Sequence, residues 1–262
     1  MNILNAIILG VIQGLTEFLP VSSSGHIELG KAILGSVQET GIDFSILVHV
    51  ATALSTVIVF RKEIGQLIRE IFSGKAEALR YAAMLIVSAV PVALVGLGFQ
   101  DEIEALFNGK IFLVGCMLLV TALLLYLTIR VKKHDKTISF KEAIMMGIAQ
   151  TVAILPGISR SGATIATALL MRVNKEEAAR FSFLMVLIPI FGKMLLDGID
   201  FAKGEAAWEL DPGIAIAGFL AAFLSGLFAC TAMLRIVKTG KLFYFSIYCA
   251  IVGVIAIATA LI

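Results

Sequence analysis

Gln13-Gly14-Leu15-Thr16-Glu17-Phe18-Leu19-Pro20-Val21-Ser22-Ser23-Ser24-Gly25-His26 is a polar knot in an otherwise apolar chain, and a second version of it follows 137 positions later: Gln150-Thr151-Val152-Ala153-Ile154-Leu155-Pro156-Gly157-Ile158-Ser159-Arg160-Ser161-Gly162-Ala163-Thr164. Slid by that offset without a gap, the flanking residues also coincide at Ala6/Ala143, Ile7/Ile144, Gly10/Gly147, Glu39/Glu176, Phe44/Phe181, Ser45/Ser182 and Leu47/Leu184. A duplicated unit is the natural explanation. The copies differ where chemistry would differ: Glu17 and His26 occur only in the first, Arg160 only in the second.

Outside the knots the chain is too apolar for a soluble domain. Hydrophobic residues make up 59% of its 262 positions and charged residues 15%, and mean hydropathy is +0.99. Long runs of Leu, Ala, Ile and Met, without ten-residue alternation, indicate helices and exclude a barrel. The predicted class is an all-α polytopic membrane protein forming one integral domain. The basic residues are spread over several loops, so nothing points to nucleic acid. Cys116, Cys230 and Cys249 lie in apolar segments without metal-ligand or disulfide spacing. The first apolar stretch carries Gln13 and Glu17 and has no basic flank, so it is expected to remain as a structural segment and not to be cleaved as a leader.

Apolar segments run approximately over 3–19, 26–35, 42–60, 79–99, 111–130, 141–155, 162–171, 179–198, 213–236 and 242–262. A span needs about 20 residues, so the last three of each half cross, giving six transmembrane helices. The first two of each half form a re-entrant hairpin with the knot at its tip. Three crossings per half is odd, so the halves, approximately 1–131 and 138–262, are inverted repeats, as in transporters with midplane sites. Loops near 61–80, 130–141, 172–180 and 235–241 then share one side and hold 16 of the 21 basic residues. By the positive-inside rule that side is cytoplasmic and both termini are outside. Ten full crossings would place the loops identically, so segment length alone argues for hairpins.

Irregular backbone at membrane depth is tolerated only inside protein or around a wet cavity, and ionisable groups there suggest function. Each tip leads Ser and Gly into a short helix, whose free N–H groups suit an anion. Arg160 adds a planar fork for phosphate oxygens. Ser22 and Ser159 serve equally well as helix caps. Glu17 is otherwise a carboxylate satisfied by a helix end or by Arg160, and His26 a hydrogen-bonded core residue. Thr164 either assists phosphate binding or bonds back to its own helix. His49 reads as a helix contact or cavity-lining residue. Ser23 occupies the position equivalent to Arg160, so the two side chains should converge if the tips meet at a pseudo-two-fold axis.

The stretches Glu17 to His26 and Pro156 to Thr164 resemble the two signature motifs of the undecaprenyl-diphosphate phosphatase family, the bacterial bacitracin-resistance proteins. Length, segment count and duplication agree over essentially the whole chain. The resemblance implies removal of the terminal phosphate from a C55 polyprenyl diphosphate in the bacterial plasma membrane, regenerating the monophosphate carrier for cell-wall synthesis, with Mg2+ or Ca2+ as cofactor. Many members carry Glu-x-x-x-Glu where this chain has Gln13-x-x-x-Glu17, so the metal candidates are Glu17 and the Gln13 carbonyl oxygen.

Under that resemblance Ser23 is the nucleophile, Glu17 or His26 its base and His26 the proton donor to the leaving oxygen. Arg160 with Ser22, Ser24, Gly25, Ser159, Ser161 and Thr164 holds the phosphates, and the site is reached from the outer face. Metal-activated water, or His26 itself, is the alternative nucleophile. The expected partners are the lipid diphosphate and the bilayer, with a second copy of the chain a candidate. The rival class is a secondary transporter or polyprenyl-phosphate flippase, which inverted repeats also suit.

Overall fold

The computed structural model describes residues 1–35, 42–106, 109–203 and 210–261; the Glu39 half of the Glu39/Glu176 repeat match lies outside them. Among the described residues there are thirteen helices: α1 (Ile3–Phe18), α2 (Ser23–Ile33), α3 (Ile42–Val59), α4 (Arg61–Phe72), α5 (Ala76–Gly98), α6 (Gln100–Glu104), α7 (Ile111–Thr128), α8 (Phe140–Val152), α9 (Arg160–Leu170), α10 (Lys175–Met185), α11 (Leu187–Lys203), α12 (Pro212–Thr239) and α13 (Phe243–Leu261). The only extended pairing among them is one isolated bridge, Lys136 to Val173.

Local chemistry sets the helix ends. The Asn2 side chain accepts from Asn5 N at 2.8 Å to start α1, and α1 stops before Pro20, whose ring disfavours helix at the preceding residue. Ser139 and Glu142 form a capping box at α8. Asp211 caps α12 with Pro212 in its first turn, and Gly240 ends it at φ 72°.

Five helices are long and apolar enough to cross a membrane: α5, α7, the continuous stretch Lys175–Leu196, α12 and α13. A sixth span is reached when Phe44–Val59 is taken with Arg61–Phe72, to which it is bent by 73°. Five of the predicted crossings are thus long apolar helices, and the predicted crossing at 42–60 is helix α3, in an all-α multi-pass membrane protein. At 1.5 Å per residue, α2, α8 and α9 reach only about 16–20 Å and cannot cross the roughly 30 Å hydrocarbon core.

Two boundaries differ from the apolar segmentation for physical reasons. The short helices α2 and α9 begin two or three residues earlier than their apolar runs, at Ser23 and Arg160, because Ser22 and Ser159 cap them. The basic loop expected at 61–80 is mostly helix α4. Its apolar residues Ile64, Leu67, Ile68, Ile71 and Phe72 fall on one face at helical spacing, which a search for continuous apolar runs does not detect.

The helix pairing repeats the duplication. α1 packs on α12 and α8 on α5, while α7 packs on α13. Under the 137-residue offset α8 corresponds to α1 and α12 to α5, so the first two contacts are one contact made twice. Small residues bring the backbones together, the usual driving force between helices in lipid. A Cβ on Gly14 would run into Ser225 Oγ and the Ala222 carbonyl, and one on Gly147 into the Ser88 carbonyl. Ser88 and Ser225 are themselves 137 residues apart. Gly14→Ala is therefore expected to destabilise the fold by about 2 kcal/mol through overpacking. Thermal unfolding in detergent checks this, with Gly65→Ala as the control, since nothing lies within 4 Å of a Cβ at Gly65. Equal melting temperatures for the two variants would contradict the packing argument.

Three of the basic loops gather in one place. Lys136 N donates to Arg172 O at 3.1 Å and Asn174 N to Lys136 O at 2.9 Å, while Lys238 pairs with Glu176 at 3.3 Å. In a separate cluster, Glu28 pairs with Lys31 at 3.1 Å and accepts from Gly109 N at 3.4 Å.

Candidate active site

Both knots form tight, similarly bonded tips. In the first, Ser22 Oγ accepts from Gly25 N at 3.3 Å and lies 3.3 Å from Ser24 Oγ. In the second, Ser159 Oγ accepts from Gly162 N at 3.0 Å and lies 3.2 Å from Ser161 Oγ. Ser22 and Ser159 are thus helix caps. The backbone amides at the starts of α2 and α9 remain available to an anion. Turning the chain this sharply puts Ser22 at φ 70°, rare for a residue with a side chain, and Gly157 at φ 103°. Thr121 of α7 clamps the second tip, donating to Gly157 O and accepting from Ser159 N, each at 3.0 Å.

The tips meet. Ser161 Oγ donates to Leu19 O at 3.2 Å. A Cβ on Gly25 would lie 3.2 Å from Gly157 Cα, and one on Gly162 3.4 Å from Pro20 Cβ. The duplicated glycines are therefore sites of close approach between the two hairpins.

Where they meet, Glu17 is the hub. Its Oε2 accepts from Ser23 Oγ at 2.6 Å and from Gln13 Nε2 at 3.0 Å. The Arg160 guanidinium faces it, and His49 Nε2 lies 3.9 Å from Oε2. Glu17 and Arg160 share a cleft with Thr52, Thr56, Thr164 and Ser182. Ser23 and Arg160 come from opposite hairpins and both address Glu17, a short hydrogen bond on one side and a facing charge on the other. Ser23 is half-buried and its oxygen lone pairs are not consumed by the bond it donates.

Other predicted residues sit differently. Thr164 Oγ1 donates to Arg160 O at 2.9 Å and contacts Ser182 Oγ at 2.6 Å, so it both bonds back to its helix and lines the cleft. His26 holds Ser22 O through Nδ1 and Tyr248 Oη through Nε2, both at 2.8 Å, and its ring stacks on Tyr248. A carbonyl only accepts, so Nδ1 carries the proton, and the neutral ring accepts from Tyr248. Neither His26 nor Ser23 is among the residues lining the cleft; Ser23 is joined to it through its bond to Glu17.

Sequence reasoning read His49 as a helix contact or cavity-lining residue and did not single out Thr52, Thr56, Thr121 or Tyr248. A signal existed for three of them: His49, Thr52 and Thr56 fall at i, i+3 and i+7 in an apolar span, a polar stripe on one face. Nothing local marks Tyr248 as the partner of a histidine 222 residues away.

Among the described residues no cluster of three His, Cys, Asp or Glu side chains is placed to hold a metal ion. The Gln13 Oε1 atom, however, is buried without a hydrogen-bond partner, beside the Glu17 carboxylate. Hard cations take six to eight oxygen ligands. One carboxylate and one orphaned amide oxygen fit such an ion if most of its shell comes from phosphate and water.

Residues 6–255 match the family described as bacitracin resistance protein BacA. Relatives named undecaprenyl-diphosphatase include a Bacteroides fragilis protein, 50% identical with 97% of each chain covered, and one from Christiangramia forsetii, 52% identical over 99% of each. A Carboxydothermus hydrogenoformans protein of the same name is 44% identical, covering 97% of this chain and 96% of its own. With its duplicated tips, long apolar helices and near-complete coverage, this chain belongs to the bacitracin resistance protein BacA family.

Proposed function

We propose that this protein is an undecaprenyl-diphosphatase, hydrolysing a C55 polyprenyl diphosphate to the monophosphate and inorganic phosphate and so renewing the lipid carrier of cell-wall synthesis. The observation that carries the reading is the 2.6 Å bond from Ser23 Oγ to Glu17 Oε2, with Arg160 on the opposite tip. A hydroxyl with its base in place and a guanidinium facing it are the parts that phosphoryl transfer needs. The relatives' shared name supports a hydrolase over the transporter alternative.

In the mechanism we propose, the terminal phosphate lies between Arg160 and the open amides of α2 and α9. Ser23 Oγ attacks phosphorus as its proton passes to Glu17 Oε2, and the bond to the bridging oxygen breaks to release polyprenyl monophosphate. Glu17 gives that proton up to water, takes a proton from a second water as it attacks the phosphoserine, and returns it to Ser23 Oγ as the serine P–O bond breaks and inorganic phosphate departs. The leaving monophosphate has a second pKa near 6, so its departure needs little help from an acid. With Nδ1–H held by the Ser22 carbonyl and Nε2 accepting from Tyr248, His26 presents no proton to the leaving oxygen; its role in this scheme is to hold the Ser22 carbonyl and thereby the tip. A Mg2+ or Ca2+ ion held by Glu17, Gln13 Oε1 and the phosphates would neutralise charge on the diphosphate.

Purified protein given polyprenyl diphosphate should release phosphate and monophosphate lipid in equal amounts, and release should fall on chelation. Lipid transfer across vesicles without phosphate release would favour the transporter. Gln13→Glu is expected to tighten the apparent divalent-metal affinity about tenfold, because a second anionic oxygen favours a hard cation. An unmoved metal titration would place Gln13 away from the ion.

We also propose that both termini face outside and that substrate reaches the tips from the outer face. The gathering of the 130–139, 172–177 and 235–241 loops supports a common, positively charged cytoplasmic side. In cells carrying protein without Cys116, Cys230 and Cys249, Lys110→Cys should react with an impermeant thiol reagent. Lys136→Cys should react only after permeabilisation, and outside labelling at 136 would reverse the topology.

A further inference from the structure

The cleft holding Glu17 and Arg160 has an apolar end. Two aromatic rings line it, Phe18 and Phe183, which meet edge to face at 5.7 Å; Phe60, outside the lining, packs 6.1 Å from Phe183. The hydroxyls on its walls are spent within the protein, Thr52 on His49 O at 2.9 Å, Thr56 on Thr52 O at 3.2 Å, and Thr164 with Ser182 at 2.6 Å. Of all the lining residues only Glu17, Arg160, Val186 and Ile190 are partly exposed. The mouth is therefore charged on one side and aliphatic on the other.

The aliphatic side has a cause in the sequence. Pro189 has no N–H to offer Met185 O, so one ladder bond is missing between α10 and α11 while the backbone stays helical at Val186. Val186 and Ile190 are four residues apart, so they share one face of this helical stretch, and both line the cleft. Beyond Ile190, α11 presents Met194, one turn on, and Leu195, which is 65% exposed. An apolar track thus begins at the phosphate-binding residues and continues along α11.

Resting on the diphosphatase reading, we propose that Val186, Ile190 and Met194 form the subsite for the first isoprene units of the substrate. The prenyl chain leaves the cleft along α11, while its diphosphate stays at Arg160 and Ser23. The cleft thereby selects an amphiphile: a diphosphate without an adjacent hydrocarbon chain leaves the aliphatic side wet, and a lipid without a diphosphate leaves the Arg160 guanidinium with no phosphate to bind.

Two measurements test this. A farnesyl diphosphate analogue carrying a diazirine in its first isoprene unit should label residues within 186–194, and unlabelled farnesyl diphosphate should compete. Label on α7 or α13 instead, or equal labelling of 186–194 by a diazirine fatty acid, would overturn the subsite; the latter result would make the track an ordinary bilayer contact. In kinetics, Val186→Ser combined with Ile190→Ser should raise KM for farnesyl diphosphate about tenfold with kcat within about twofold. Val186→Ile combined with Ile190→Leu should restore it. A fall in kcat at unchanged KM would overturn the assignment. If the wild-type protein released no phosphate yet 186–194 were labelled with competition, the hydrolase reading would fall while the prenyl subsite stood.

Discussion

Ser23→Ala is expected to lower kcat for phosphate release about a thousandfold or more, with the protein still folded. The Ser23 hydroxyl donates its proton to Glu17 Oε2 at 2.6 Å, so the nucleophile and its base are paired before substrate arrives, and removing either member of such a pair removes most of the rate. The side chain is half-buried and supports no cap: Ser22, one residue earlier, closes the first turn of α2. Stability should fall by no more than about 3 kcal/mol, the size of one lost hydrogen bond to a buried carboxylate, which thermal unfolding reads. Glu17→Gln should give a loss of similar order, because an amide can accept the Ser23 hydrogen bond but cannot take the proton. If Ser23→Ala kept a tenth of wild-type turnover, Ser23 would not be the nucleophile, and water activated at the same site would take its place.

Arg160→Lys is expected to lose about a hundredfold in kcat, in keeping with removal of one preorganised donor from a low-dielectric site. Lysine keeps the charge but not the planar fork that meets two phosphate oxygens at once. Arg160 is the first residue of α9, so its side chain and the open amides of that helix address the same anion. The capping bond from Gly162 N to Ser159 Oγ does not involve Arg160, and the variant should fold. Near-normal turnover in Arg160→Lys would remove the guanidinium from the phosphate site.

Hydropathy, end signals and the 137-residue duplication were enough to identify a multi-pass helical membrane protein with two short hairpins, because helix formation in lipid is decided by local composition and by whether each segment is long enough to cross. The same local character made Ser22, Ser159, Gly25, Gly162, Glu17 and Arg160 legible as a polar site, since ionisable groups and paired glycines have few other reasons to stand in such surroundings. Amphipathic α4 was lost to an averaging rule: its apolar residues are spaced, not consecutive. Only the tertiary structure decided which groups touch. Ser23 bonds Glu17 across a six-residue turn because Ser22 adopts a left-handed φ. His49 reaches the hub because α3 packs beside α1. His26 is claimed by Tyr248 from the last helix, 222 residues on. Pairings of this kind depend on how two interlocked repeats pack, and packing is set by shape complementarity among distant small residues such as Gly14 and Ser225, which no local pattern along the chain encodes.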